Sequence, residues 1–238
     1  MSNLYDTHCH LFKEYGYNLD EVVKNFKENN IKYVINNGTS YKTNTEVLSI
    51  SQQYPSIKPA IGFHPEDLSE FKEEYLNQII DNINHIVAIG EIGLDYYNSA
   101  VPKKIQQKVF KQQLKIAEES NKPVIIHSRN AFNDTYKILK KYNVKGSWHC
   151  FTGSLDEANK IIELGFKLGI GGIITFKNSD LDQVISKIDL RKIILETDSP
   201  YLSPVPFRGK TNEPKNIKYI MEKIAEIKKL DKIGRAHV

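Results

Sequence analysis

Residues 123–129 read PVIIHSR, an apolar run that ends in three polar residues. Similar short apolar runs occur at residues 33–36 (YVIN) and 192–195 (KIIL), and each is followed by an amphipathic stretch. Nearly continuous apolar runs are typical of parallel strands that are buried on both faces. Amphipathic stretches between such runs indicate the crossover helices of β/α units. The pattern therefore predicts a parallel α/β fold.

This alternation of strand and helix occurs eight times along the chain. The predicted strands are residues 4–10, 31–36, 57–63, 86–92, 124–127, 146–149, 166–170 and 192–198. The predicted helices are residues 19–29, 43–54, 73–83, 103–120, 131–142, 155–164, 180–188 and 216–229, with Thr43, Ser154 and Ser179 or Asp180 as caps. Eight such units in 238 residues are typical of a (β/α)8 TIM barrel. An open doubly wound sheet is the alternative, but polar residues at so many strand ends favour the barrel.

Composition and charge restrict the class of protein. With 40% hydrophobic and 26% charged residues, the chain is expected to form one packed domain over residues 1–232. The formal net charge of +4 permits an anionic substrate but does not by itself demonstrate a nucleic-acid surface. The two cysteines, Cys9 and Cys150, suit a reducing compartment, so we expect a cytoplasmic protein. No apolar run reaches the roughly 20 residues of a membrane helix, no secretory signal is evident, and nothing indicates an obligate protein partner.

The last six residues differ in origin from the rest in our interpretation. Residues 233–238 (IGRAHV) match one reading frame of a common sequencing adapter. We therefore interpret them as a foreign tail and assign no role to His237. The alternative is an ordinary chain terminus.

Five of the seven histidines lie at the ends of predicted strands, together with two carboxylates. These residues are His8 and His10 after strand one, His64 after strand three, Glu91 in strand four, His127 in strand five, His149 in strand six and Asp198 in strand eight. Because the carboxyl ends of barrel strands meet at one rim, we expect these side chains to converge. Imidazoles and carboxylates together are typical ligands of divalent metal ions.

His8 and His10 form the sharpest local feature, since side chains two positions apart on a strand point the same way and can chelate one ion. A single strand-end histidine is more often a hydrogen-bonded structural residue, but five of them weaken that interpretation. Glu91 is either a solvated turn residue or a bridge between two cations about 3.5–4 Å apart. Asp198 either caps the next loop or binds metal and takes a proton from water. Glu196 shares the strand face of Asp198 and is equally compatible with a buried structural role.

Two arginines follow predicted strand ends in a chain whose positive charge is mostly lysine. They are Arg129 in HSRNAF and Arg208 in PFRGKTNEP, where Lys210 lies close by. Guanidinium groups are good planar partners for phosphate oxygens, and loops after the last strands of TIM barrels often bind phosphate. Arg129, Arg208 and Lys210 are therefore candidate substrate contacts. A solvated loop charge or a pair with Glu213 is the alternative for Arg208.

Taken together, the motifs resemble those of the TatD family of metal-dependent deoxyribonucleases. They are DTHCHL, GFHPED, GEIGLDYY, IIHSRNAF, HCFTG, LETDSPYLSP and RGKTNEP, in that order, from residue 6 to about residue 214. The resemblance implies an amidohydrolase-like barrel that binds divalent metal ions, two per site. Magnesium, manganese and zinc all remain possible.

The resemblance also implies roles for the individual site residues. The metal ligands that it implies are His8, His10 and Asp198 for one ion and His127 and His149 for the other, with Glu91 shared between the two ions. Its catalytic residues are Asp198, Glu91 and His64, of which His64 lies near the scissile phosphate. Family members usually continue with one further terminal helix, so the resemblance implies that this helix is truncated here.

The activity implied by the resemblance is hydrolysis of phosphodiester bonds in DNA, as a 3′–5′ exonuclease on single strands. Phe63, Tyr97 and Phe151 flank the motifs, where they can either stack on bases or pack the barrel rim. One alternative is a metal-dependent hydrolase of an ester or amide, such as a misacylated tRNA. Cyclic-amide hydrolases are disfavoured because many of them use a carboxylated lysine, and VAIGEIGLD (residues 87–95) contains none. A second alternative, a non-catalytic nucleic-acid-binding protein, is disfavoured because no ligand is missing.

Overall fold

The eight apolar segments pair as parallel strands in chain order, each with the next, around a barrel. The computed structural model describes residues 3–230, so the predicted foreign tail at residues 233–238 lies outside the described residues. The strands are β1 (Leu4–Cys9), β2 (Ile31–Asn37), β3 (Ile57–Ile61), β4 (Ala88–Asp95), β5 (Val124–Arg129), β6 (Gly146–Trp148), β7 (Lys167–Ile170) and β8 (Ile193–Leu195). The predicted (β/α)8 TIM barrel is confirmed.

In the described part of the chain, eight α-helices follow the strands and cover the outside of the barrel. They are α1 (Leu19–Glu28), α2 (Tyr41–Gln53), α3 (Asn77–Asp81), α4 (Lys103–Ser120), α5 (Phe132–Leu139), α6 (Leu155–Glu163), α7 (Leu181–Lys187) and α8 (Ile217–Ile227). Among residues 3–230, no helix combines the length and the apolar composition that crossing a membrane requires.

The central strands are buried on both faces, as their apolar runs predict, whereas Lys32 and Tyr33 near the start of β2 are exposed. All eight residues of β4 are buried, and Ile126 in β5 has no exposed surface. The amphipathic helices add their inner faces to the same core, with Phe110 and Leu114 of α4 almost completely buried. Burying each such side chain contributes about 1.5–3 kcal/mol of hydrophobic free energy. This packing makes the barrel a rigid support for the residues at its rim.

The chain closes the barrel between β1 and the segment that follows β8. Cys9 and Ser199 form a parallel bridge there. The backbone N–H of Asp198 donates to the His8 carbonyl at 2.9 Å, and the His10 N–H donates to the Ser199 carbonyl at 2.7 Å. This seam therefore places His8 and His10 at the end of β1 beside Asp198.

Several element boundaries differ from the predicted ones. The predicted strand at residues 192–198 ends at Leu195, and beyond it Asp198 adopts a left-handed φ of 57°. The predicted helix at residues 73–83 is a short 3-10 helix, Glu73–Leu76, followed by α3. Ser40, rather than Thr43, caps α2, and Thr43 completes the capping box. Ser154 caps α6 as predicted.

Candidate metal centre

The predicted site residues meet in a cleft of about 580 Å³ at the carboxyl ends of the strands. Those that line the cleft are His10, His64, Glu91, His127, His149 and Asp198. His8 is completely buried beside them and contacts Glu91. The structure therefore brings all seven side chains of the predicted cluster together.

Glu91 lies at the middle of this cluster and is almost completely buried. Its two carboxylate oxygens lie 2.8–3.6 Å from ring nitrogens of five histidines, His8, His10, His64, His127 and His149. Burial alone raises the pKa of Glu91, but attraction from His8, His64 and His149 outweighs it and holds the pKa well below its usual value. Glu91 is therefore an anion at neutral pH.

Asp198 faces Glu91 from the other side of the cluster. Its Oδ1 lies 3.6 Å from His10 Nε2, 3.7 Å from His8 Nε2 and 3.8 Å from His149 Nε2. Burial raises the pKa of Asp198, but the neighbouring histidines lower it by more. The centre thus combines two ionised carboxylates with several imidazoles.

Besides His149 with Cys150 and Glu196, three sets of potential ligand atoms belong wholly to this cluster, and the atoms of each set lie within 4.8 Å of one another. They are His8 with His10 and Asp198, His8 with Glu91 and His149, and His64 with Glu91 and His127. The first set is the one that the family resemblance implies for one ion. His127 and His149, which the resemblance assigns to the second ion, fall in the other two sets, both of which contain Glu91.

The outer contacts of the histidines orient their inner nitrogens toward the carboxylates. His10 Nδ1 lies 2.9 Å from the Asn37 carbonyl, which can only accept, so Nδ1 carries a proton. His149 Nδ1 similarly lies 2.9 Å from Glu196 Oε1 in an ion-pair contact. When either imidazole ring is neutral, its Nε2 atom then has a lone pair that faces Glu91 and Asp198. Lone pairs facing carboxylates require a cation between them, and such outer partners are typical of metal-ligating histidines. The residues present therefore fit divalent metal ions.

His127 has a carboxylate at each ring nitrogen. Nδ1 lies 2.8 Å from Glu91 Oε1, and Nε2 lies 3.0 Å from Asp95 Oδ2. Burial lowers the pKa of His127, but these two hydrogen bonds outweigh it and raise the pKa to about 9. His149 behaves in the same way, because Glu196, Glu91 and Asp198 outweigh burial and raise its pKa to about 10.

Of the remaining three inner histidines, His10 has a raised pKa because Asp198 and Glu91 outweigh burial, whereas His8 and His64 are neutral. Burial and the nearby His149 lower the pKa of His8. Burial and the nearby His127 lower the pKa of His64 to about 3. His64 Nδ1 accepts a hydrogen bond from the Glu66 N–H at 3.3 Å, so its ring proton is on Nε2, inside the cleft. His64 is therefore a neutral hydrogen-bond donor.

Two buried carboxylates, Asp6 and Asp95, support the cluster but were missed by the sequence analysis. Asp6 accepts from the His8 N–H at 3.2 Å and the Thr197 N–H at 2.9 Å, and so ties β1 to the segment after β8. Burial, only partly offset by the Thr197 hydrogen bonds, raises its pKa to about 7. Both residues share the alternating strand face of a predicted ligand, Asp6 with His8 and Asp95 with Glu91. That periodicity is the signal that could have found them.

Arg129 and Arg208, the predicted phosphate contacts, each stack on an aromatic ring. The Arg129 guanidinium lies 4.4 Å from the ring centre of Tyr97, and that of Arg208 lies 3.7 Å from the ring centre of Phe176. Within residues 3–230, no carboxylate pairs with either arginine, and Glu213 pairs with Lys215 instead. Arg129 lines the cleft, whereas Arg208 and Lys210 are exposed and do not border it.

The three candidate base-stacking rings differ in their surroundings. Phe63 and Phe151 are each only 3% exposed, and Phe63 packs against Phe71 and Tyr75. Tyr97 is 64% exposed, with Arg129 over its ring. Phe63 and Phe151 therefore pack the barrel rim, which is the second of the two interpretations of these residues.

Comparison with known proteins identifies relatives over nearly the whole chain. The model of the family described as "TatD related DNase" matches residues 5–237. An uncharacterised metal-dependent hydrolase of Bacillus subtilis, YabD, is 42% identical over 95% of this chain and 92% of its own length. One from Buchnera aphidicola (Acyrthosiphon pisum) is 39% identical over 99% of this chain and 95% of its own length.

A solved structure shows the same likeness at the level of the fold. The crystal structure of YJJV, a TatD homologue from Escherichia coli, superposes with a TM-score of 0.92 at 29% identity. The match covers 98% of this chain and 93% of that one. The metal-ligand motifs, the barrel and these relatives agree, and the chain belongs to the TatD family of metal-dependent hydrolases.

Proposed function

We propose that the protein is a divalent-metal-dependent deoxyribonuclease that cleaves phosphodiester bonds, as a 3′–5′ exonuclease on single-stranded DNA. The observation that supports this most directly is the position of Glu91, whose two oxygens contact histidines on both sides of the cluster. A shared carboxylate is what two neighbouring cations require, and paired cations are common in phosphodiester hydrolysis. The family whose model matches the chain is described as a DNase family.

The ligands of the proposed two ions are His8, His10, Glu91, His127, His149 and Asp198. Divalent ions at such a site supply a water of lowered pKa and offset negative charge on a phosphate. Mixed imidazole and carboxylate donors suit magnesium, manganese and zinc, so the proposal covers all three. The free cysteines Cys9 and Cys150 support a reducing location, for which we propose the cytoplasm.

Two residues of the chain, Asp198 and His64, would act directly on the reacting groups, and Glu91 would position them. Asp198 is ionised and accepts the proton of the attacking water at a carboxylate oxygen. Glu91 orients the histidines around that point. His64 donates its Nε2 hydrogen to a phosphate oxygen, where negative charge grows in the transition state. Its low pKa keeps it in this neutral donor form at physiological pH.

The positively charged side chains outside the cluster would hold the rest of the nucleic acid. Arg129 stands at the cleft with no carboxylate partner among the described residues, so its charge is available to a phosphate. Arg208 and Lys210 lie farther out and are suited to a phosphate that leaves the cleft. Glu66 and Asp67 line the β3 side of the cleft and repel phosphates there. The backbone path is therefore expected to avoid that wall.

Cleavage of labelled single-stranded DNA tests this proposal. Chelator-treated protein is supplied with magnesium, manganese or zinc, and one substrate carries its label at the 5′ end while another carries it at the 3′ end. We expect stepwise shortening from the 3′ end, lost in Glu91→Gln and Asp198→Asn. The matched control is Asp156→Asn, an exposed carboxylate on α6 that pairs with Lys160. Metal-loaded, folded protein that cleaves no DNA or RNA but releases an amino acid from a misacylated tRNA would overturn the nuclease assignment.

A further inference from the structure

A group of aromatic rings lines the cleft beside the metal ligands and has no role in the chemistry described so far. We name it the tyrosine shelf, and it consists of Phe12, Tyr15 and Tyr201, all three of which line the cleft. Tyr201 is 49% exposed, although it lies next to buried ligands. Its ring centre is 6.2 Å from that of His10 in an edge contact.

The shelf is fixed in place by its own contacts. The hydroxyls of Tyr15 and Tyr201 are hydrogen-bonded at 2.6 Å, and Phe12 stacks under Tyr15 with ring centres 5.7 Å apart. The Tyr201 carbonyl accepts from Asn212 Nδ2 at 2.7 Å, and the Tyr201 N–H donates to the Asp198 carbonyl at 2.7 Å. An exposed aromatic ring held this firmly loses little entropy when a flat ligand stacks on it.

The topology places this shelf across the cleft from Arg129. Phe12 and Tyr15 follow β1, and Tyr201 follows β8. Arg129 ends β5, and its stacking partner Tyr97 follows β4. In a closed ring of eight strands in chain order, the junction of β8 and β1 lies opposite the junction of β4 and β5. A ligand that spans the cleft therefore meets aromatic rings on one side and the Arg129 guanidinium on the other, with the metal centre between them. Among the described residues, no carboxylate pairs with this guanidinium.

We propose that the tyrosine shelf binds one nucleobase by stacking on Tyr201, next to the phosphate at the metal centre, a proposal that rests on the nuclease function above. The neighbouring phosphate then reaches Arg129. Stacking tolerates any base because every base has an aromatic face. Stacking on Tyr201 also requires a base that is neither paired with a complementary strand nor stacked on the neighbouring base. The shelf therefore selects single-stranded ends. Tyr97 is also exposed, but it already carries Arg129 and serves to position that guanidinium.

The experiment titrates the protein into short single-stranded oligonucleotides that carry 2-aminopurine, whose fluorescence is quenched by stacking. The oligonucleotides have phosphorothioate linkages that resist cleavage, and binding is measured with Mg²⁺ and after chelator treatment. We expect quenching at one nucleotide position and binding about 5- to 100-fold weaker in Tyr201→Ala. Tyr201→Phe keeps the ring and is expected to bind within about twofold of the wild type. Tyr201→Leu keeps apolar bulk without an aromatic face and is expected to resemble Tyr201→Ala.

An abasic nucleotide separates stacking from a general loss of structure. When the base at the quenched position is removed, Tyr201→Ala and wild type are expected to bind equally, since the interaction no longer exists in either complex. Tyr33→Ala, which removes another exposed tyrosine from the β2 strand, is the matched control and is expected to behave as wild type.

The outcomes distinguish the shelf from the nuclease function. Position-specific quenching that depends on Tyr201, without any metal-dependent cleavage, refutes the nuclease function and retains the shelf as a nucleobase site. Metal-dependent cleavage with no difference in quenching or binding between wild type and Tyr201→Ala retains the nuclease and refutes the shelf. A Tyr201→Ala defect that persists with the abasic oligonucleotide also refutes it.

Discussion

Metal binding is expected to release protons from His127 and His149. In the metal-free protein, Asp95, Glu91, Glu196 and Asp198 hold the pKa of His127 at about 9 and that of His149 at about 10. Both imidazoles are therefore protonated at pH 7. A metal ion binds only the neutral ring, so it must displace these protons.

The magnitude follows from the two pKa values. Filling the centre at pH 7 is expected to release about two protons from His127 and His149, because both pKa values lie well above that pH. The overall metal affinity then rises about 100-fold for each pH unit until about pH 9, where His127 loses its proton on its own. Above about pH 10 the dependence on these two groups disappears. His8 and His64, whose pKa values are lowered, add nothing, whereas His10, whose pKa Asp198 and Glu91 raise despite burial, adds to the release.

Isothermal titration calorimetry in buffers of different ionisation enthalpy measures this proton count directly. Asp95→Asn removes a partner of His127 without removing any of the six proposed ligands. The pKa of His127 is therefore expected to fall, and the number of protons released on metal binding is expected to drop by up to one. Asp156→Asn serves as the control and is expected to release as many protons as the wild type. Stoichiometric metal binding with release below about half a proton at pH 7, or a count unchanged by Asp95→Asn, would refute the reasoning.

Four other expectations follow from the same structure. Metal-free protein is expected to lose stability as pH rises from about 6.5 to about 10, because His127 and His149 bind protons more tightly in the folded state. Thermal unfolding across this pH range measures the loss, and a melting temperature that does not change with pH would contradict the expectation. Gly93→Ala is expected to cost about 2–4 kcal/mol in denaturant unfolding, because Gly93 has a φ of +148° and a Cβ there would lie 1.9 Å from the His127 carbonyl. Phe110→Ala is expected to cost about 3–5 kcal/mol in the same assay by leaving a cavity under α4. Arg129→Ala is expected to raise KM on single-stranded DNA about tenfold, with a shallower salt dependence, and Arg129→Lys to recover only part of the loss.

The sequence predicts the barrel and the ligand cluster well, and the reason is physical. Apolar runs such as residues 124–126 become strands buried on both faces, and in a parallel barrel all strand ends meet at one rim. Residue type at those ends is then enough to bring His8, Glu91 and Asp198 together. Local signals also predict that Ser154 caps α6, because a capping box involves only four consecutive residues.

What the sequence does not predict depends on contacts between distant segments. Tyr15 and Tyr201 are 186 positions apart, and no local pattern indicates that their hydroxyls meet. Phe63 and Tyr97 both flank ligand motifs, yet one is buried and the other exposed, because only Phe63 lies between the barrel and the segment around Tyr75. The role of Asp95 likewise depends on the side chain of His127 across the β4–β5 pair.

The seam between the first and last strands has a consequence for how the protein is made. Asp6 and Thr197, which join across it, are 191 positions apart. At the usual 5–20 residues per second, a ribosome needs roughly 10–40 s to synthesise the chain between them. During that time His8 and His10 have left the ribosome, but Asp198 does not yet exist, so a cation bound early has only part of its final shell.

Closing such a long loop is also among the slower steps of folding, since contacts distant in sequence form against a large entropy. The proposed metal ion that joins His8 and His10 to Asp198 is therefore expected to bind the finished barrel more tightly than any earlier state. By mass action it favours the closed barrel over chains whose last strand has come away. The ion that serves hydrolysis would then also stabilise the closed barrel, and the concentration of that ion in the cell would influence how long each newly made molecule stays folded.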